Sequence, residues 1–314
     1  MPSAQLQVAQ QLVVGADLAL AAAVPHEFFV IKGPVLAETV YRHPWQRLSR
    51  DIDIVVRPHE FRATIEALEA QGARLLDANW ERAIDCRWGQ VHLLMPHGSL
   101  IDLHWHLVNA GRVRDTVAID MRAAWSDLRT VRVLGQEIRT LSVTNTLVHV
   151  AMHAALGGAW RRRWFDDIRL TIARERIDWG AAISRARQWR VRRLVGVALA
   201  RAATYGDADV PEVALDALLA GWPSKEHIAR LDRLRSPTQA SRESSFARVW
   251  PHVTRDRWQD VVRAIGWRID RRARNGLRGY RYGRDQPIEM MPSGGCSGRS
   301  RYLAMVESGA MERS

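Results

Sequence analysis

The sequence predicts an α+β fold, a mixed-sheet domain followed by a helical region, and three observations carry that prediction. Up to about residue 140, short apolar runs bounded by turn residues alternate with segments of helical apolar spacing. Within that part, "QVHLLM" and "LIDLHWHL" flank the turn "PHGS", and "TVRVLGQEIRTL" has the pattern of a second hairpin. From Ser142 onward the spacing is helical almost throughout.

Taken in order, residues 4–23 form a helix that ends before Pro25, and "EFFVIKG" forms a short buried strand closing on Gly33. "PVLAETVYRH" is a helix with Pro34 in its first turn, where a missing N–H does no harm. After the "HPWQ" turn comes the strand "DIDIVV", stopped by Pro58. A helix over 59–70 aligns Phe61, Ile65 and Leu68 on one face and ends at Gly72. The two hairpins follow. The helical region opens with "SVTNTLVHVAMHAAL", capped by Ser142 or Thr144, and continues with helices near 163–174, 177–204, 211–221 and 224–234. "SPTQASRESS" reads as a linker, the arginine-rich stretch 255–284 as one more basic helix, and the Gly/Ser-rich end as unstructured. The expected organisation is therefore a sheet domain over 1–140, a helical region over 141–285 and a disordered tail over 286–314.

Composition narrows the class. With 314 residues, 47% hydrophobic and 25% charged, the chain is long enough for one or two globular domains. The longest apolar stretch is interrupted by Asp17 and has no basic leader, so a cytoplasmic protein without a membrane partner is expected. Two cysteines, Cys86 and Cys296, support neither a disulfide framework nor a thiolate zinc site. The formal charge is +12, yet lysine occurs only at Lys32 and Lys225. So strong an arginine bias fits a high-GC genome as well as it fits a polyanion-binding surface.

The chemistry concentrates on the acidic strand. Alternation puts Asp51 and Asp53 on one face and Ile52 and Ile54 on the other, with the two carboxylates starting roughly 6.5–7 Å apart. Two such charges among buried residues are costly unless a divalent cation offsets them. On "LIDLHWH", Asp102, His104 and His106 share a face, and if the strands are neighbours Asp102 joins the first two acids. Three carboxylates on adjacent strands suit Mg²⁺, two ions or Mn²⁺ in their place, in phosphoryl or nucleotidyl transfer. Upstream, Lys32 and Gly33 end a strand where a helix begins, a junction at which backbone N–H groups and a point charge can meet phosphate. His104 is a candidate for orienting the acids. His149 and His153 have a zinc-like i, i+4 spacing, but Val150 stands where a glutamate is expected, so packing is the reading preferred.

The ordered set Lys32-Gly33, Tyr41, Arg47, Asp51-Ile52-Asp53, Asp102-Leu103-His104-Trp105, His149, His153 and Asp167 resembles an uncharacterised bacterial nucleotidyltransferase family of the DNA polymerase beta-like superfamily. The resemblance covers about residues 28–170. It implies that Asp51, Asp53 and Asp102 are catalytic and hold the metals, with an NTP as co-substrate. It further implies that Lys32 and Gly33 meet the phosphates. The wider superfamily usually has serine or glycine after the turn glycine, whereas Pro34 stands here, so Arg47 and Arg50 are expected to help hold the triphosphate. The implied reaction moves NMP to a hydroxyl-type acceptor, a small molecule, peptide or protein ahead of RNA, and releases pyrophosphate. The competing expectations are a non-catalytic binding module of the same fold and a basic RNA-binding protein.

Overall fold

A computed structural model describes residues 4–49, 51–221, 225–234, 254–266 and 292–312. The chain forms two compact units, one of residues 1–115, 128–141 and 272–314, the other of 116–127 and 142–271. The α+β expectation holds.

The first unit opens with α1 (Ala4–Ala22), then β1 (Phe28–Ile31), α2 (Gly33–Thr39), a 3-10 turn at Pro44–Gln46 and β2 (Asp51–Val56). α3 (Phe61–Ala70), β3 (Arg74–Leu75), α4 (Trp80–Asp85), β4 (Gln90–Leu94), β5 (Leu100–His104) and α5 (Gly111–Arg114) follow. The strands form one mixed sheet in the order β1-β2-β5-β4-β3, antiparallel except for the parallel pair β2 and β5. Apolar residues on both faces of β2, from Ile52 to Val56, are buried, because helices cover the sheet. The β4–β5 hairpin is held from outside by Asp17 of α1, a fully buried carboxylate. It accepts from the backbone N–H of Ser99 at 2.9 Å and of His97 at 3.1 Å, and its Oδ1 lies 2.8 Å from His97 Nδ1. The interruption in the apolar run of α1 is thus a tie to the hairpin turn.

The second hairpin also belongs to the first unit, after α6 (Met121–Ser126) of the second. It joins β6 (Leu128–Val133) and β7 (Gln136–Leu141) through Leu134 and Gly135, both at positive φ, as a two-residue turn requires. Thr140 Oγ1 donates to Val30 O at 2.7 Å and ties β7 to β1.

In the second unit lie α7 (Val143–Leu156), α8 (Arg162–Arg174), α9 (Trp179–Gln188), α10 (Arg192–Gly206), α11 (Glu212–Leu218) and α12 (Lys225–Leu234). Ser142 caps α7 by accepting from Asn145 N–H. A single helix over 177–204 is corrected to α9 and α10. Arg190 takes φ 53°, Val191 N–H closes onto Ala186 O at 2.9 Å, and Trp189 O accepts from Ala118 N–H at 2.8 Å. Tertiary partners for the broken turn thus outweigh helical continuity. Within α10 and α12, Arg201 and Asp232 form a buried ion pair at 2.6 Å.

The disordered tail expected over 286–314 is also corrected, since α13 (Gly295–Glu307) is a helix of the first unit. Tyr302, Leu303 and Val306 are buried in its core, and the Tyr302 ring lies 5.6 Å from Trp80 and 6.4 Å from Phe61. Gly298, one of the glycines read as a mark of disorder, lets the helix backbone close on the Trp80 side chain: a Cβ there would stand 2.9 Å from Trp80 Cβ. The linker 236–245 lies outside the described residues, as does most of the basic stretch 255–284. Among the described residues no helix is long and apolar enough to cross a membrane.

Candidate active site

Sheet register assembles the site. β2 and β5 lie side by side in parallel, with Asp53 opposite Asp102, and alternation then puts His104 on the same face as both. One ligand atom each from Asp53, Asp102 and His104 lies within 4.8 Å of the other two. β4 adds its own face residues from the other side, because His92 is opposite Asp102 and Gln90 opposite His104. Across the sheet, Ile31 of β1 is opposite Asp53, so the next residue, Lys32, emerges beside the acids.

Lys32 reaches Asp53 at an unusual local cost. It precedes α2 with φ 54° and ψ −128°, a conformation L side chains rarely adopt. From there its Nζ lies 2.7 Å from Asp53 Oδ1, and His104 Nε2 lies 3.1 Å from the same oxygen. Burial works toward the neutral form of Asp53, but the Lys32 ammonium and the His104 imidazole together outweigh it. They hold the carboxyl well below the usual carboxylate range. Asp102 goes the other way: burial, followed by the negative charge of Asp53, raises its pKa. Two neighbouring carboxylates with opposite shifts make an asymmetric pair.

The buried Asp53, the half-buried Asp102 and the imidazole suit a divalent cation, oxygen ligands fitting Mg²⁺ and the added nitrogen fitting Mn²⁺. Among the described residues His104 Nδ1 is buried without a hydrogen-bond partner, and the ring's hydrogen bond in the site is made through Nε2.

The other expected residues are placed unevenly. Asp51 is exposed at the first position of β2 and is outside the three-residue group. Gly33 lies against the strand approach: a Cβ there would stand 2.8 Å from Ser49 Oγ and 3.2 Å from Asp51 O. Arg47 is buried, and its Nη1 donates to Ser49 Oγ at 2.9 Å, while Arg50 lies outside the described residues. His106 is buried and its Nδ1 accepts from Val108 N–H at 3.0 Å. His149 is buried on α7, its ring 6.4 Å from that of His153.

Sequence reasoning missed Gln90, His92 and Asp77. Gln90 Nε2 lies 3.0 Å from His92 Nε2 and 3.4 Å from Asp102 Oδ2, and His92 Nδ1 lies 3.0 Å from the buried Asp77. The signal for the first two was present, because pairing the hairpin about "PHGS" sets His92 opposite Asp102. Asp77 follows β3, and no local pattern points to it.

No curated protein and no solved structure matches the chain. A family model described as an uncharacterised nucleotidyltransferase matches residues 20–207, which takes in β1 to β5, the acids and the first helices of the second unit. That match extends over more than half of the 314 residues, on a mixed sheet whose neighbouring strands carry the paired acids, and so the chain belongs to this family of nucleotidyltransferases.

Proposed function

We propose that this nucleotidyltransferase moves NMP from an NTP to a hydroxyl-type acceptor, a small molecule, peptide or protein, and releases pyrophosphate. The observation that carries the reading is the convergence of Asp53, Asp102 and His104 beside Lys32. In this reading Asp53 and Asp102, with Asp51 at the mouth of the strand, hold divalent metal, and His104 keeps Asp53 oriented. The metal, Mg²⁺ or Mn²⁺, supplies charge neutralisation at the phosphates and activation of the incoming hydroxyl. Asp102 faces that hydroxyl. Lys32, Gly33 and Arg47, with Arg50, meet the triphosphate, and Lys32 exchanges its Asp53 partner for phosphate when the nucleotide arrives. A cytoplasmic setting follows from the NTP requirement and is compatible with the free thiols Cys86 and Cys296.

A second reading has one observation in its favour. Asp53 is already neutralised by Lys32 at 2.7 Å, as in a binding module that has lost turnover. One experiment separates the two. Wild type and Asp53→Asn are incubated with Mg²⁺ or Mn²⁺ and each α-labelled NTP, with and without cell extract. Metal-dependent label transfer and pyrophosphate release by wild type alone support the enzyme, whereas nucleotide binding without transfer by either protein supports the module.

A further inference from the structure

We propose that His92, Asp102 and Gln90 form a second divalent-cation position beside Asp53, Asp102 and His104, sharing Asp102 with that group. This rests on the metal-dependent reading above and extends it to residues outside the expected acidic triad.

The argument begins with Asp77. Its carboxylate is buried, accepts from the backbone N–H of His92 at 2.5 Å, and lies 3.0 and 3.2 Å from His92 Nδ1. Such a partner fixes both the ring orientation and the tautomer: the proton sits on Nδ1 and the lone pair on Nε2. A carboxylate holding the far nitrogen is how proteins commonly present a histidine to a metal.

The Nε2 edge of that imidazole faces Asp102 and Gln90. His92 Nε2 lies 3.9 Å from Asp102 Oδ1. Ligands at about 2.0–2.2 Å from one ion stand no more than about 4.4 Å apart, so a single cation can join these two atoms. Gln90 already marks the place. Its amide nitrogen lies 3.0 Å from His92 Nε2 and 3.4 Å from Asp102 Oδ2, so an N–H donor satisfies two acceptors that a cation would also satisfy. Half a turn of the amide exchanges nitrogen for oxygen and offers Oε1 as a third ligand. The 3.0 Å separation from His92 Nε2 matches adjacent ligands around a six-coordinate ion with bonds of about 2.1 Å. The antiparallel register of β4 and β5 keeps all three side chains on one face. One nitrogen with two or more oxygens favours Mn²⁺ over Mg²⁺ at this position.

The test is Mn²⁺ binding to the full chain, with free ion read by electron paramagnetic resonance and bound nitrogen by electron spin echo modulation. His92→Gln is expected to take up one Mn²⁺ fewer than wild type. His104→Gln is expected to keep the modulation of a directly bound imidazole nitrogen, because His92 is still there. Asp77→Asn should weaken binding at this position by about 10–100-fold, as loss of an outer-shell partner does. Circular dichroism confirms that each variant is folded. A His92→Gln protein that is folded and binds Mn²⁺ as wild type does, or a His104→Gln protein with no nitrogen modulation, overturns the proposal and leaves the Asp53, Asp102 and His104 reading intact. If wild type binds no Mn²⁺ and no Mg²⁺, the metal-dependent reading fails and this one with it.

Discussion

Lys32 Nζ stands 2.7 Å from Asp53 Oδ1, and it does so from a backbone position at φ 54° that a glycine would occupy without strain. Local strain of this kind costs on the order of 1–3 kcal/mol and persists where the surroundings over-determine it. Here the surroundings are β1, which fixes Ile31 opposite Asp53, and α2, which begins at the next residue.

Comparing Lys32→Gly with Lys32→Ala isolates the strain. Both lose the ion pair with Asp53, but only glycine relaxes the backbone, so the glycine variant should be more stable by about 1 kcal/mol or more in urea unfolding. Equal stabilities would mean that φ 54° carries no cost. Both variants should lose label transfer if Lys32 meets the phosphates.

Gly33→Ala should be destabilising by about 1–3 kcal/mol, because the added Cβ would stand 2.8 Å from Ser49 Oγ and 3.2 Å from the Asp51 carbonyl. Ser49→Ala in the same chain removes the nearer contact and leaves the backbone one. Partial recovery in the double variant is the expected result, measured by thermal or urea unfolding.

His106 gives the first unit a pH-dependent stability. Burial, reinforced by the nearby charge of Arg114, pushes its pKa from 6.5 down to about 3, while its Nδ1 accepts from Val108 N–H. The unfolded chain binds a proton here below about pH 6.5 and the folded one does not. Stability is therefore fully present above pH 6.5 and falls as the pH drops toward 3. Between pH 6.5 and 5 the loss attributable to His106 should be about 2 kcal/mol, and His106→Gln should flatten that slope in urea unfolding at the two pH values.

Tyr302→Ala should cost about 3–5 kcal/mol, since the ring is fully buried against Trp80 and Phe61 and its hydroxyl donates to Trp88 O at 2.8 Å. Tyr302→Phe removes only the hydrogen bond and should cost about 1–2 kcal/mol. If both variants unfolded like wild type, α13 would contribute nothing to the core.

Much of the sheet domain was legible because its signals are local. The alternation in "DIDIVV" fixes which side chains share a face, Pro58 and Gly72 mark ends, and "PHGS" marks a hairpin whose pairing sets His92 against Asp102. The break at Trp189–Val191 and the helix Gly295–Glu307 were not legible. One depends on Ala118, distant in the chain, accepting a place beside Trp189 O, and the other on Gly298 meeting Trp80.

By itself the sequence determined the acids, their spacing on a strand, the glycine at the strand-to-helix turn and hence the nucleotidyltransferase family. Only the tertiary structure decided which groups converge. The parallel pairing of β2 with β5 put Asp53 opposite Asp102 and drew in His104, while Asp51, one pleat earlier, stayed exposed at the strand's edge. It also decided that Lys32 neutralises Asp53 and that Asp77 orients His92. The physical reason is that alternation along a strand is a property of neighbouring residues, whereas register between strands is set by every contact that packs the sheet.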